Sequence, residues 1–273
     1  FQGNDSAGGE MIAQESFALF PLLHTAKRGS ALVIGYGTGM TTKTFHELGF
    51  KKIDVAELSK DIVALANKHF SAINSRVSDA HGVSMHYTDG RNFLLTQTRK
   101  FDVISIEITS IWFAGAANLY NKEFYALAKK RLAEGGSLQQ WIQLHHISSM
   151  DLIYAIGSVR SEFKYVWIYM RGGQGIIVAS NDANAKNFPG EEFVFESKKD
   201  SNMELQPIRL KSHMLLSPAG VDNMILSFDP SMRALISTDQ NLYLEHSTPK
   251  GNALRDVVDE NASMLAGFEP IEN

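Results

Sequence analysis

Gly35-Tyr36-Gly37-Thr38-Gly39 follows directly on a short apolar run, Ala31-Leu-Val-Ile34, and leads into a stretch of helical pattern. Glycines at a strand-to-helix turn let the backbone approach a ligand closely, and the helix start offers unpaired N–H groups. The spacing is G-x-G-x-G; residue 40 is Met, so the last glycine of the G-x-G-x-x-G dinucleotide fingerprint is absent. Alone, the motif also fits an ordinary tight turn. Glu57 stands eighteen residues past Gly39, at the end of a second apolar run. A carboxylate there can accept both hydroxyls of a ribose held over the glycine turn. Turn and acid together point to an adenosine-type ligand more than to a solvated strand end. Asp89-Gly90 ends a third run: the carboxylate could accept from an adenine amino group, and Gly90 would permit a sharp turn. A plain Asp-Gly turn or helix cap would look the same.

Glu107 closes a fourth run and opens Glu107-Ile-Thr-Ser-Ile-Trp-Phe-Ala-Gly115. In open parallel sheets ligands bind beyond the carboxyl ends of strands, so an acid emerging there faces the site. Burial beside Trp112 and Phe113 would raise its pKa and make it a usable general base; a helix-capping carboxylate is the alternative. Other candidates carry less. His145-His146 are adjacent, which on a strand sends the two rings to opposite faces, and no H-x-x-x-H spacing accompanies them. No metal site is expected. There is no G-x-S-x-G elbow for a serine hydrolase. Asp239, Glu245 and His246 form a polar cluster that reads either as a rim of the site or as a loop.

The elements that must position these groups follow from pattern. Residues 31–36, 52–58, 83–87, 101–106 and 137–143 read as strands. Between them, residues 41–48, 59–73, 91–98, 122–133 and 150–162 read as helices. A helix over 10–26 precedes them, with Pro21 expected to kink or break it. Strands alternating with helices imply right-handed crossovers and a parallel sheet. Residues 163–170 and 175–179 flank Arg171-Gly-Gly-Gln174 as a hairpin. Five such strands and a terminal hairpin outline a Rossmann-like, seven-stranded S-adenosylmethionine-dependent transferase fold. Residues 182–199 read as a connector, and two helices are expected later, one with Gly220 near its start and one after Lys250. The organisation is thus a nucleoside-binding catalytic domain over 1–180, its first 30 residues an entry segment and helix, with a C-terminal extension over 181–273 packing on it.

Composition narrows the class. The 273 residues carry 26 Lys+Arg against 30 Asp+Glu, a net charge of -4, which argues against a nucleic-acid binder. Cysteine is absent, excluding disulfides, thiolate metal sites and cysteine nucleophiles. No apolar run approaches the roughly 18 residues of a membrane span. The polar, Gly-rich start is no secretory signal, so a cytoplasmic protein is expected.

Leu32-Val-Ile-Gly-Tyr-Gly-Thr-Gly39, Val55-Ala-Glu57, Tyr87-Thr-Asp-Gly90, Phe101-Asp-Val-Ile104 and Lys122-Glu-Phe-Tyr125 with Leu132-Ala-Glu-Gly-Gly136 resemble the spermidine synthase (polyamine aminopropyltransferase) family over residues 1–180. Glu107–Gly115 and the late Thr238-Asp-Gln and Leu-Glu-His-Ser-Thr-Pro249 segments are similar to the branch fused to a multi-spanning membrane region. The resemblance implies Glu57 as the ribose-binding acid, Asp89 as the adenine-binding acid and Glu107 as the catalytic acid, one methylene longer than the family's Asp. It implies Gln14-Glu15 as the polar pair lining the donor pocket, with Gly35, Gly37, Gly39 and Gly90 completing the cofactor site. Gln2 would be the ligand-contacting glutamine of an entry hairpin, although Phe1-Gln2-Gly3 reads equally as a tag remnant. Ser110 and Trp112 would line the acceptor side. Four positions depart from the family: Thr38 replaces a glycine-loop Asp that holds the donor's amine, and Ala13 replaces a channel Tyr. In the catalytic loop, Ser110 and Ile111 replace an acid and a Pro.

The implied reaction moves an aminopropyl group from decarboxylated S-adenosylmethionine to an amine acceptor, with no metal. The implied setting includes a homodimer and a tether to a membrane region absent from this chain. Two alternatives stand beside it: a methyltransferase using S-adenosylmethionine itself, and a non-catalytic adenosyl-ligand-binding domain.

Overall fold

The computed structural model describes residues 6–108, 111, 115–198, 210–228, 235–249 and 256–270. The strands are β1 (Ser30–Ile34), β2 (Lys52–Glu57), β3 (Val83–Tyr87), β4 (Phe101–Ile106), β5 (Leu132–Ile142), β6 (Tyr165–Arg171), β7 (Gln174–Ser180) and β8 (Met214–Leu216). They form one sheet in the order β3-β2-β1-β4-β5-β7-β6-β8. The first five run parallel, β7 lies antiparallel between β5 and β6, and β8 is antiparallel to β6. The sheet therefore has eight strands rather than the seven expected. The additional strand is three residues long, too short to leave a periodic trace in the sequence.

The helices are α1 (Ser6–Leu23), α2 (Met40–Glu47), α3 (Lys60–His69), α4 (Ser71–Asn74), α5 (Gly90–Thr96), α6 (Lys122–Arg131), α7 (Ser149–Arg160), α8 (Glu191–Lys198), α9 (Pro218–Ser227), α10 (Tyr243–Ser247) and α11 (Val258–Ala266). Alternation along β1 splits the interior in two. Leu32 and Ile34 join Ile104, Ile106, Phe93, Phe124 and Leu152 on one face. Ala31 and Val33 join Val103, Phe17, Phe20 and Phe45 on the other. Strands buried on both faces explain the near-continuous apolar runs. Val221 and Met224 of α9, Leu244 of α10 and Leu265 of α11 belong to the first of these cores.

Several elements depart from expectation. Pro21 lies within α1 and does not break it. The helix ends two residues later, and the Pro21 carbonyl accepts from Ser137 Oγ at 3.0 Å. β5 starts at Leu132 rather than 137, through a register irregularity opposite Phe101–Val103. Part of the expected connector is a 3-10 turn, Ala183–Asn187, followed by α8, whose Val194 is fully buried. No helix among the described residues is long and apolar enough to cross a membrane.

Candidate active site

Strand order reverses between β1 and β4, since the chain runs outward through β2 and β3 on one side and through β5 on the other. Such a switch point opens a crevice at the carboxyl ends of the two strands. There Glu107 N donates to Ile34 O at 2.9 Å, and Gly35 N donates to Ala56 O at 2.9 Å. The glycine turn, the tip of β2 and the start of the loop after β4 are thus joined by backbone bonds. Gly35 has φ 91°, a left-handed conformation, and a Cβ there would meet Glu107 O at 2.7 Å. Only glycine fits. Gly39, at φ 86°, caps α2. Gly37 is exposed and faces open space.

Glu57 is buried at the tip of β2. Its Oε2 accepts from Tyr36 N at 2.9 Å and its Oε1 from Ser59 N at 3.0 Å. Each oxygen keeps a second acceptor position, so a diol can still be held. Asp89 caps α5, its Oδ1 accepting from Asn92 N at 2.8 Å. The cap is real, and Asp89 follows the end of β3, which is joined to the tip of β2 where Thr88 N donates to Glu57 O at 3.1 Å. Gly90 makes no sharp turn, contrary to expectation: it is the first residue of α5, and its φ is not positive. What requires glycine is packing, because a Cβ would lie 2.3 Å from Ile34 Cγ2.

Glu107 is partly buried, and its Oε1 is closed off from solvent with no hydrogen-bond partner. Desolvation pushes its pKa up from 4.5 to about 8, against a smaller opposing effect from the Thr41 side chain. Thr41, buried in α2, donates to Gln14 O at 2.8 Å. Thr38 donates to Gln14 Oε1, tying the glycine turn to α1. Ala13 is buried on the same helix. Thr38, Thr41 and Gln14, all neutral, thus join the glycine turn and α2 to α1.

Pattern reading missed three residues here. Thr41 looked like an ordinary helix position. Gln139 and Gln143 are fully buried on one face of β5 and just beyond its end, with Gln139 Nε2 and Gln143 Oε1 unpartnered. Their signal was visible as glutamines recurring through an apolar strand. Gln139 Oε1 accepts from Ser105 Oγ at 2.6 Å, so the polar face continues onto β4. Gln2, Ser110 and Trp112 lie outside the described residues. Among the described residues no group of His, Cys, Asp or Glu is placed to hold a metal ion.

The fold matches that of a crystal structure of spermidine synthase from Thermotoga maritima, with TM-score 0.62 over 74% of this chain and 72% of that one at 18% identity. A spermine/spermidine synthase domain model matches residues 10–188. The chain belongs to the spermine/spermidine synthase family. A polyamine aminopropyltransferase of Nitrosomonas europaea is 22% identical over 91% of this chain and 74% of its own length. Another, from Thermoplasma acidophilum, is 28% identical over 59% of this chain and 58% of its own length.

Proposed function

We propose that the chain transfers an aminopropyl group from decarboxylated S-adenosylmethionine to an amine. The observation that carries this is Glu107: a carboxylate with an unpartnered, buried oxygen, bonded through its backbone to the strand that ends in the glycine turn. Gly35, Gly37 and Gly39 leave room for the adenosyl group, Glu57 takes the ribose hydroxyls and Asp89 the adenine. The acceptor nitrogen attacks the carbon beside the sulfonium sulfur. A C–N bond forms, the C–S bond breaks, and its electron pair leaves sulfur neutral in methylthioadenosine. The proton lost by nitrogen passes to Glu107. Orientation supplies most of the acceleration, and base catalysis adds roughly 10²–10⁴-fold.

One observation favours a second reading. The Thr38–Gln14 pair is neutral, so a donor that keeps its carboxylate meets no repulsion there, as a methyltransferase using S-adenosylmethionine would require. Calorimetry with S-adenosylmethionine, its decarboxylated form and methylthioadenosine separates the two. Release of methylthioadenosine from the decarboxylated donor with an amine supports aminopropyl transfer. Tighter binding and turnover of the carboxylated donor would replace it with methyl transfer.

A further inference from the structure

Thr41 stands between two acceptors. It is buried near the start of α2, and its Oγ1 donates to Gln14 O of α1 at 2.8 Å. Among the described residues, the same hydroxyl is the one side-chain group within hydrogen-bonding reach of the Glu107 carboxyl. A hydroxyl has a single hydrogen to give. In this structure Gln14 receives it, and Glu107 Oε1 is buried with no partner. Nearby hydroxyls are not shared in this way: Thr38 Oγ1 donates to Gln14 Oε1, and Thr44 Oγ1 to Met40 O.

That allocation suits a protonated Glu107 and not an ionised one. A buried carboxylate without a donor bears the full cost of its desolvation. Neighbouring charges do not relieve it: burial and the Thr41 hydroxyl are what act on the carboxyl. Glu15 on α1, Lys43 on α2, Glu57 at the tip of β2, Asp89 after β3 and His145 beyond β5 exert no charge effect on it. Gln14 lies inside α1, so its carbonyl keeps the acceptor position used by the helix when the Thr41 hydrogen leaves. Rotation about the Thr41 Cβ–Oγ1 bond is enough to move that hydrogen. A hydrogen bond to a charged acceptor is roughly twice as strong as one to a neutral carbonyl. The preferred partner of Thr41 therefore reverses when Glu107 ionises.

We propose that Thr41 is a positioning residue for Glu107, its hydroxyl hydrogen facing the Gln14 carbonyl while Glu107 is protonated and turning to the carboxylate when Glu107 is ionised. The ionised form is the one that can take a proton from an attacking amine. Thr41 thus holds the base ready and, in doing so, releases one contact between α1 and α2. That catalytic consequence rests on the aminopropyl-transfer reading of the site; the proton-linked turn of the hydroxyl does not.

Carbon-13 NMR of the full chain, titrated with pH, follows both ends of the turn. One signal is the Glu107 side-chain carboxyl, assigned by its loss in Glu107→Gln; the other is the Gln14 backbone carbonyl. Wild type is compared with Thr41→Val, which keeps the shape and removes the hydroxyl, and with Thr41→Ser, which restores it. In wild type and Thr41→Ser the two carbons are expected to titrate with one midpoint. In Thr41→Val the Glu107 midpoint should rise by roughly 0.5–1 pH unit, the loss of one hydrogen bond to the ionised form. The Gln14 carbonyl should then no longer titrate with it, and the inflection of kcat/KM for methylthioadenosine release should move by the same amount. A Gln14 carbonyl that ignores the Glu107 titration in wild type overturns the proposal, as does an unchanged midpoint in Thr41→Val. Should Thr41→Val fail to fold, the wild-type behaviour of Gln14 decides alone. Joint titration in a protein that turns over no amine leaves the proposal standing and overturns the aminopropyl reading.

Discussion

The backbone amide of Tyr36, inside the glycine turn, donates to Oε2 of Glu57 across 2.9 Å. One carboxylate therefore shapes the turn and presents its remaining acceptor positions beside it. Glu57→Ala is expected to weaken methylthioadenosine binding by about 1–3 kcal/mol, the loss of charged hydrogen bonds. Unchanged affinity by calorimetry would remove the adenosyl pocket from this end of the sheet.

Glu107→Gln is expected to retain methylthioadenosine binding and lose turnover by roughly 10²–10⁴-fold. Normal turnover in this variant would make Glu107 a structural group.

The same residue sets a pH dependence. Its folded pKa, about 8, lies above the ordinary 4.5. Between those values the folded carboxyl holds a proton that the unfolded chain has released. Stability therefore falls as pH rises through that window, by a total of about 5 kcal/mol. Denaturant titrations at pH 5 and pH 9 should show this fall in wild type and its absence in Glu107→Gln. The base form dominates only above the raised pKa, so kcat/KM should climb toward pH 8 and beyond. A flat stability profile identical in both proteins would count against the desolvated carboxyl.

Gly90→Ala should cost about 1–3 kcal/mol, since its Cβ would meet Ile34 2.3 Å away and the strand cannot retreat from a packed core. Thermal denaturation reads this directly. A wild-type Tm would show that α5 can shift without loss.

Arg91 binds Asp239 through both guanidinium nitrogens, and this holds the Asp239 carboxyl below its usual range. The pair therefore contributes stability above the ordinary carboxylate pKa, and that contribution is lost as pH falls through the lowered one. Both groups keep solvent contact, so a double-mutant cycle with Arg91→Met and Asp239→Asn should give a coupling of about 0.5–1 kcal/mol at neutral pH. Zero coupling would mean that the segment around Asp239 is held by its other bonds, among them Asp239 N to Glu123 Oε2 and Ser237 Oγ to Asn121 Oδ1.

Strands buried on both faces were legible because each is a compact apolar run with a glycine or polar break behind it. The places of Glu57 at the tip of β2 and of Glu107 just past β4 were legible because each acid closes such a run. Gly90 was singled out for a turn, while its actual constraint comes from Ile34, 56 positions earlier, a contact no local pattern encodes. Helix α8 escaped notice because its burial rests on few side chains, chiefly Val194 with part of Phe193. Glu245 stood out only as one polar residue in a cluster. Its pairing with Gly115 depends on where two distant loops meet.

The eighth strand has a bearing on solubility. β6 offers seven residues of backbone on the side away from β7, and β8 covers part of that side through Ile168 and Tyr169. At the opposite margin β3 is short and carries Ser84 and His86, polar side chains that discourage a neighbour from docking. A chain cut before residue 210 would keep the glycine turn, Glu57 and Glu107, yet leave β6, with its Trp167 and Tyr169, as a bare hydrogen-bonding template. Such a fragment should self-associate strand to strand at concentrations where the full chain stays dispersed.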